Sequence, residues 1–359
     1  MNNTEFLHRY LNGYSPVAQE GEGQQIWKDY LSQFISKDDI HEDAYGSSYG
    51  IYHTSMSSNP QKVIIEAHCD EIAWIITHIE DDGYIRVKRH GGSDNMIAPS
   101  MDVVIHNEKG EKIPGVFGWP AIHTRKKEAE EGYEQHDLWV DIGADTKERV
   151  MNYYHVLPGN LITFNTQLKT IGDYYVGRSL DNKIGGYIIA ETLRKLKEDN
   201  IQLPYDLYVV NSVQEEVGLH GAKLIAKQID ADMALVHDVC HNTNHPKMNK
   251  AKDGDVKGGK GPALEYTAQN HRTIIKKLLE VSKESDIDVQ RHVGSYGNDT
   301  MAFFLENIPT AILATPLKYM HTTVEMAHKK DVEDCIELYV NTLKSITPEW
   351  LDELNKRKK

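Results

Sequence analysis

The sequence of 359 residues has little cysteine, no long hydrophobic run and no excess of positive charge. Its three cysteines, Cys69, Cys240 and Cys335, are far apart, which argues against a disulfide framework and against a Cys-x-x-Cys metal site. No stretch approaches the roughly 18 apolar residues of a membrane helix, so we expect no membrane partner. The N-terminal sequence MNNTEFLHRY has neither the basic nor the apolar region of a signal peptide, and we therefore expect a cytoplasmic protein.

The charge balance is acidic. Lys and Arg together number 40 and Asp and Glu number 54, which gives a formal net charge of −14. Such a surface repels phosphate backbones, so we expect no nucleic-acid partner. The hydrophobic fraction of 40% and the charged fraction of 26% are typical of a globular protein. At roughly 150 residues per domain, the length predicts two or three domains.

Several motifs of common enzyme classes are incomplete or absent. The G-x4-G-K spacing over residues 254–260 is followed by Gly261, where a phosphate loop needs Ser or Thr. The G-x-S-x-G pattern over residues 46–50 precedes a strand-like segment and not the helix of a nucleophile elbow. The sequence contains neither H-E-x-x-H nor G-x-G-x-x-G. Serine hydrolases, metzincins and dinucleotide enzymes therefore have no motif support.

Two kinds of hydrophobic pattern divide the chain. The run KVIIEA over residues 62–67 is typical of a strand buried on both faces, and after residue 161 short apolar runs alternate with amphipathic helices. This alternation predicts an α/β domain with a mostly parallel central sheet, built from residues 1–70 and 162–359. Residues 71–161 instead contain several strand-like runs separated by turns, which predict a small β-sandwich or β-barrel inserted into the α/β domain.

Polar side chains that can bind metal ions follow several of the predicted buried strands. In an open α/β sheet, ligands bind at the edge formed by the carboxyl ends of the strands. The candidates at this edge are His68, Asp70, Asp181, Glu215, Glu216, Asp238 and His321.

Each candidate also has an ordinary structural explanation. Asp181 could cap a helix, Glu215 and Glu216 could favour the positive end of the next helix, and Asp238 could stabilise a turn. The coincidence of these residue types at one predicted sheet edge favours a shared role. Two histidines and three carboxylates suit a pair of divalent ions such as zinc or cobalt.

Five motifs then give a resemblance to a known family. AHCDEI, GRSLDNKIGG, VQEEVGLHGA, HDVCH and KYMHTTVEM occur in this order and resemble the dinuclear metallo-aminopeptidases, which include bacterial glutamyl aminopeptidase and archaeal tetrahedral aminopeptidases. GVFGWPAIH and DLWVDIGA extend the resemblance into the insertion. It implies an αβα peptidase domain interrupted by a β-barrel over residues 71–161 that mediates oligomerisation.

The resemblance also implies a role for each candidate residue. It implies two divalent ions per subunit, most simply zinc or cobalt, with these ligands: His68 and Asp238 on one ion, Glu216 and His321 on the other, and Asp181 bridging both. Glu215 is then the general base, and Asp70 orients His68, because a ligating histidine needs an acceptor for its second N–H group.

The implied activity is removal of the N-terminal residue from short peptides by a self-associating protein, with a dodecamer built from dimers as the expected assembly. The sequence departs from the family pattern at Cys240, Asn244, Asn298 and Lys318, in segments expected to border the substrate, so the preferred N-terminal residue stays open.

The sequence leaves one alternative function open and disfavours two others. A related dinuclear amidohydrolase or carboxypeptidase that acts on acyl-amino acids could use a similar ligand set. A glycosidase is disfavoured because it needs two carboxylates that flank the sugar. A scaffold without catalysis is disfavoured because every implied ligand and Glu215 are present.

Overall fold

The computed structural model describes residues 1–124, 134–294 and 297–356, and the chain divides into two units. The first unit comprises Met1–Asp70, Leu168–Met320 and Val324–Lys359, and the second comprises Glu71–Gln167 and His321–Thr323. Within the described ranges, no helix is both long enough and apolar enough to cross a membrane.

The α-helices of the described residues all lie in the first unit. They are α1 (Asn3–Asn12), α2 (Gly21–Leu31), α3 (Leu180–Glu198), α4 (His220–Gln228), α5 (Lys250–Asp253), α6 (Arg272–Glu284), α7 (Thr300–Leu305), α8 (Lys329–Ser345) and α9 (Pro348–Leu354).

The strands belong to a large sheet in the first unit and a barrel in the second. In chain order they are β1 (Ile40–Glu42), β2 (Ser48–Tyr52), β3 (Lys62–His68), β4 (Ala73–Ile79), β5 (Ile85–His90), β6 (Asp102–His106), β7 (Lys112–Phe117), β8 (Trp139–Asp141), β9 (Leu161–Phe164), β10 (Lys169–Ile171), β11 (Tyr174–Gly177), β12 (Asp206–Ser212), β13 (Met233–His241), β14 (Ala263–Glu265), β15 (Gln290–His292), β16 (Thr310–Lys318) and β17 (Glu325–His328).

The first unit contains a sheet with the strand order β1-β2-β12-β3-β13-β16-β17-β11-β10, to which β14 and β15 attach beside β16. The central strands β12, β3, β13 and β16 are parallel, whereas the flanking pairs β2/β12, β16/β17 and β11/β17 are antiparallel. The predicted α/β architecture with a mostly parallel central sheet is therefore confirmed, with antiparallel strands at its margins.

Helices cover both faces of this sheet. Val63 and Ile65 of β3 belong to a buried apolar cluster that includes residues of α3 and α8. Ile64, which points to the opposite face, belongs to a second cluster with residues of α4 and α7. A strand covered on both faces must be apolar at successive positions, which explains the uninterrupted run at the start of β3.

The second unit contains a closed barrel with the strand order β4-β5-β8-β7-β6-β9. Every neighbouring pair is antiparallel. Alternate side chains such as Trp74 and Ile76, or Val103 and Ile105, point into one buried cluster. Of the two shapes that the strand pattern left open, the chain adopts the barrel.

The end of the insertion lies further along the chain than residue 161. Strand β9 closes the barrel by pairing with both β4 and β6, and it extends to Phe164. Ile162 and Phe164 are buried in the barrel cluster, and the second unit continues to Gln167. The boundary predicted at residue 161 is too early because β9 is as apolar as a strand of the α/β domain.

Candidate metal centre

Parallel strands bring several predicted site residues to one edge of the central sheet. His68 ends β3 and lies in register with Ser212, which ends β12. Asp238 lies in β13 opposite Ala314 of β16. Glu215 and the residue after it follow the end of β12 at Ser212 by three and four residues. The carboxyl ends of these strands therefore meet where an α/β sheet usually binds its ligand.

His68, Asp181 and Asp238 form a first group of potential metal ligands. One ligand atom from each lies within 4.8 Å of the other two. His68 Nε2 is 3.4 Å from Asp181 Oδ1 and 3.9 Å from Asp238 Oδ1. All three side chains are buried, so an ion held there would be largely shielded from solvent.

Asp181, Glu216 and His321 form a second group, whose ligand atoms also lie within 4.8 Å of one another. Asp181 belongs to both groups. The two groups together contain all five residues that the resemblance implies as metal ligands. Imidazole nitrogens and carboxylate oxygens in this ratio fit divalent ions of intermediate softness.

Asp70 connects His68 to the segment that carries the two glutamates. Its carboxylate is fully buried, and Oδ1 lies 3.4 Å from His68 Nδ1. The same carboxylate accepts the backbone N–H of Glu215 at 3.0 Å and that of Glu216 at 3.1 Å. One side chain thus fixes the position of a candidate ligand ring and of the turn after β12.

The centre contains more buried negative charge than its own side chains neutralise. Burial raises the pKa of Asp238 well above its usual value, and the neighbouring Asp181 raises this pKa further. Burial opposes the charged form of His68, but hydrogen bonds to Asp181 and Asp70 outweigh burial and raise its pKa. A doubly charged cation would relieve this repulsion, so the residues fit a divalent ion.

Glu215 belongs to neither ligand group. Burial raises the pKa of its carboxyl group well above the usual range, and this increase is opposed by the nearby His68. A carboxylate with a raised proton affinity beside candidate metal ligands is suited to proton transfer.

Left-handed backbone conformations occur close to the candidate ligands. Ser179, Gln214 and Tyr319 have φ values of 54°, 58° and 59°, and each lies two residues before a candidate ligand. His321 itself has a φ of 62°. Such conformations are costly for residues other than glycine and concentrate at functional sites. The sequence carries no signal for them.

A pair of buried acids next to His68 was not predicted. Ser212 Oγ lies 2.6 Å from Glu66 Oε1 and 3.1 Å from Asp299 Oδ2. Burial and the neighbouring Asp299 raise the pKa of Glu66 well above its usual value. The only hint in the sequence was an acidic residue inside the apolar run of β3.

Known proteins resemble this chain over most of its length. A family model described as M42 glutamyl aminopeptidase matches residues 48–338. The lysyl aminopeptidase of Pyrococcus furiosus is 28% identical over 324 residues, which cover 86% of this chain and 89% of that protein.

Two solved structures are similar in fold as well as in sequence. The TET aminopeptidase of the marine sediment archaeon Thaumarchaeota archaeon SCGC AB-539-E09 has 25% identity and a TM-score of 0.91, with 98% of each chain covered. The Pyrococcus horikoshii TET1 peptidase, which can assemble into a tetrahedron or a large octahedral shell, has 26% identity and a TM-score of 0.82. That match covers 96% of this chain and 100% of the other.

Proposed function

The chain belongs to the M42 glutamyl aminopeptidase family, and from this premise we propose that it removes the N-terminal residue of short peptides with two divalent ions per subunit. Membership of this family makes the protein an aminopeptidase, and the family implies divalent metals. The number of ions, their identity as zinc or cobalt, and the role of each residue belong to the proposal. The observation that carries it is the sharing of Asp181 between two groups of ligand atoms.

The proposed ligands divide around that shared aspartate. His68 and Asp238 would hold one ion and Glu216 and His321 the other, and Asp181, which belongs to both ligand groups, would serve both. Bound divalent ions supply Lewis-acid polarisation of the scissile carbonyl and lower the pKa of the attacking water. The buried and mutually repelling carboxylates support this assignment because they need a cation to be stable as anions.

Glu215 acts as the general base in this proposal. It accepts a proton from the attacking water and delivers it to the nitrogen of the leaving amine. Its raised pKa supports the assignment, because a base with a higher proton affinity takes up a proton near neutral pH more readily. Asp70 is a positioning residue and takes no part in the reaction itself. It holds Nδ1 of His68 and the backbone of both glutamates.

Assembly and cellular location are further parts of the proposal. The barrel of the second unit mediates self-association into dimers and then a dodecamer. This is supported by the shells formed by the Pyrococcus horikoshii TET1 peptidase and by exposed apolar side chains such as Met96 and Ile122. Three free cysteines agree with a reducing cytoplasm.

A metal-replacement assay tests the function. Chelation should abolish hydrolysis of aminoacyl-p-nitroanilides, and added Zn²⁺ or Co²⁺ should restore it. A panel of leucine, glutamate and lysine p-nitroanilides would identify the preferred residue. Full activity in a demonstrably metal-free sample would contradict the proposal. Cleavage of N-acyl-amino acids in place of the p-nitroanilides would assign the chain to the amidohydrolases or carboxypeptidases.

A further inference from the structure

One edge of the His321 imidazole packs against a glycine of the same unit. A Cβ atom built on Gly92 would lie 2.3 Å from His321 Nδ1 and 2.5 Å from His321 Cε1. Real Cβ atoms do not approach other heavy atoms so closely. The ring can therefore occupy its observed position only while residue 92 has no side chain.

The backbone that carries Gly92 is anchored through the residue that follows it. Ser93 is buried, and its hydroxyl donates to the carbonyl oxygen of Ala73 in β4 at 2.6 Å. The segment is thus anchored to the barrel. A side chain at position 92 would displace the ring of His321 sooner than the anchored backbone.

We propose that Gly92 is a positioning residue, which holds the Nδ1–Cε1 edge of His321 against the backbone and leaves Nε2 as the nitrogen that binds metal. This inference rests on the proposed function, since it concerns His321 as a metal ligand. The two ring nitrogens of a histidine are distinct, and the group that occupies one of them decides which one coordinates.

The substitution Gly92→Ala tests the inference in the full-length protein. Zn²⁺ is titrated calorimetrically into metal-free wild type and variant. We expect the wild type to bind two ions and the variant to bind one of them about 10–100-fold more weakly, the usual effect of losing a residue that orients a ligand. Excess Zn²⁺ should partly restore turnover. Gly21→Ala is the matched control, because its added Cβ meets no atom within 4 Å and both ions should bind as in the wild type.

A double variant separates positioning of the ring from a general structural role. If Gly92 acts through His321, adding Gly92→Ala to His321→Ala should change neither the remaining metal affinity nor the melting temperature. The inference would be overturned if Gly92→Ala lowered the metal affinity or the melting temperature as much in the His321→Ala background as in the wild type. Failure of Gly92→Ala to fold would also overturn it. Wild-type binding of fewer than two ions would overturn the proposed function instead. Two ions bound equally well by wild type and Gly92→Ala would overturn the inference alone.

Discussion

Glu215 and Glu216 are adjacent in the turn after β12, but of the two only Glu216 belongs to a group of candidate ligand atoms in the described part of the chain. We therefore expect different consequences when each is changed to glutamine. Glu215→Gln keeps the shape of the side chain but cannot accept a proton, so turnover should fall by roughly 10²–10⁴. Its metal content, measured by elemental analysis, should stay at two ions per chain.

Glu216→Gln is the matched partner of that experiment. It replaces an anionic ligand by a neutral one, so activity and the second ion should be lost together and partly regained with excess metal. The two roles would be exchanged if Glu215→Gln lost metal while Glu216→Gln kept both ions but was inactive. Near-normal turnover in both variants would contradict the proposal that the protein is a dinuclear peptidase.

Glu20 provides a pH-dependent prediction. Burial and the neighbouring Asp70 raise its pKa from 4.5 to about 8, and its Oε1 accepts the Ala18 N–H at 2.7 Å. Between these pH values the folded state keeps a proton that the unfolded state releases, so this group makes the protein less stable as pH rises from 4.5 to 8. Glu20→Gln keeps the acceptor and should be more stable than wild type at pH 8 by a few kcal/mol, with little difference at pH 4.5.

Guanidinium unfolding of metal-free protein at both pH values would measure this effect. Glu22→Gln is the control, because Glu22 is exposed in the first turn of α2, which Glu20 precedes, and its substitution should leave the pH dependence of the wild type intact. An unchanged slope of stability against pH in Glu20→Gln would show that Glu20 is ionised in the folded protein.

The sequence predicted which polar residues would meet, but not how they are held. His68 and Asp238 could be found because the ends of parallel strands share one edge of the sheet. The contact between Gly92 and His321, and the pairing of Glu66 with Asp299, join residues that are far apart in the chain. Such contacts depend on tertiary packing, which local patterns do not encode.

At the scale of elements, periodicity identified the type of each unit better than its limits. The apolar run of β3 predicted a strand covered on both faces, and its side chains do enter the clusters on both faces of the sheet. Strand β9 has an equally apolar sequence, LITF, with all four residues buried. A fully buried strand has the same sequence pattern in a barrel and in an α/β sheet. The predicted domain boundary at residue 161 therefore falls inside β9.

Strand β9 should decide whether the insertion folds alone. The fragment 71–167 retains all six barrel strands, and we expect it to unfold cooperatively in a thermal melt followed by near-ultraviolet circular dichroism. The fragment 71–161 keeps only Leu161 of β9, so it loses most of the pairing of this strand with β4 and β6 and the side chains of Ile162 and Phe164. We expect it to lack a cooperative transition, since an open barrel exposes two strand edges and its core. Equal melts for both fragments would show that β9 is dispensable.

At the scale of the whole molecule, the proposed assembly should be detectable in particle mass. One chain has a mass of 40.8 kDa, and light scattering of the wild type at micromolar concentration should give a multiple of this value. Met96 and Ile122 of the second unit are 63% and 68% exposed. In the proposed assembly these side chains would be covered, because burial of apolar surface stabilises an interface.

The double variant Met96→Ser/Ile122→Ser should therefore form smaller particles while it still hydrolyses aminoacyl-p-nitroanilides, because neither residue is among the proposed ligands or the base. Met56→Ser is the matched control. Met56 is 100% exposed in the first unit, and its substitution removes apolar surface without touching the barrel. A wild-type mass of 40.8 kDa would contradict the assembly. If the particle mass decreased equally in the double variant and in the control, association would not depend on the barrel.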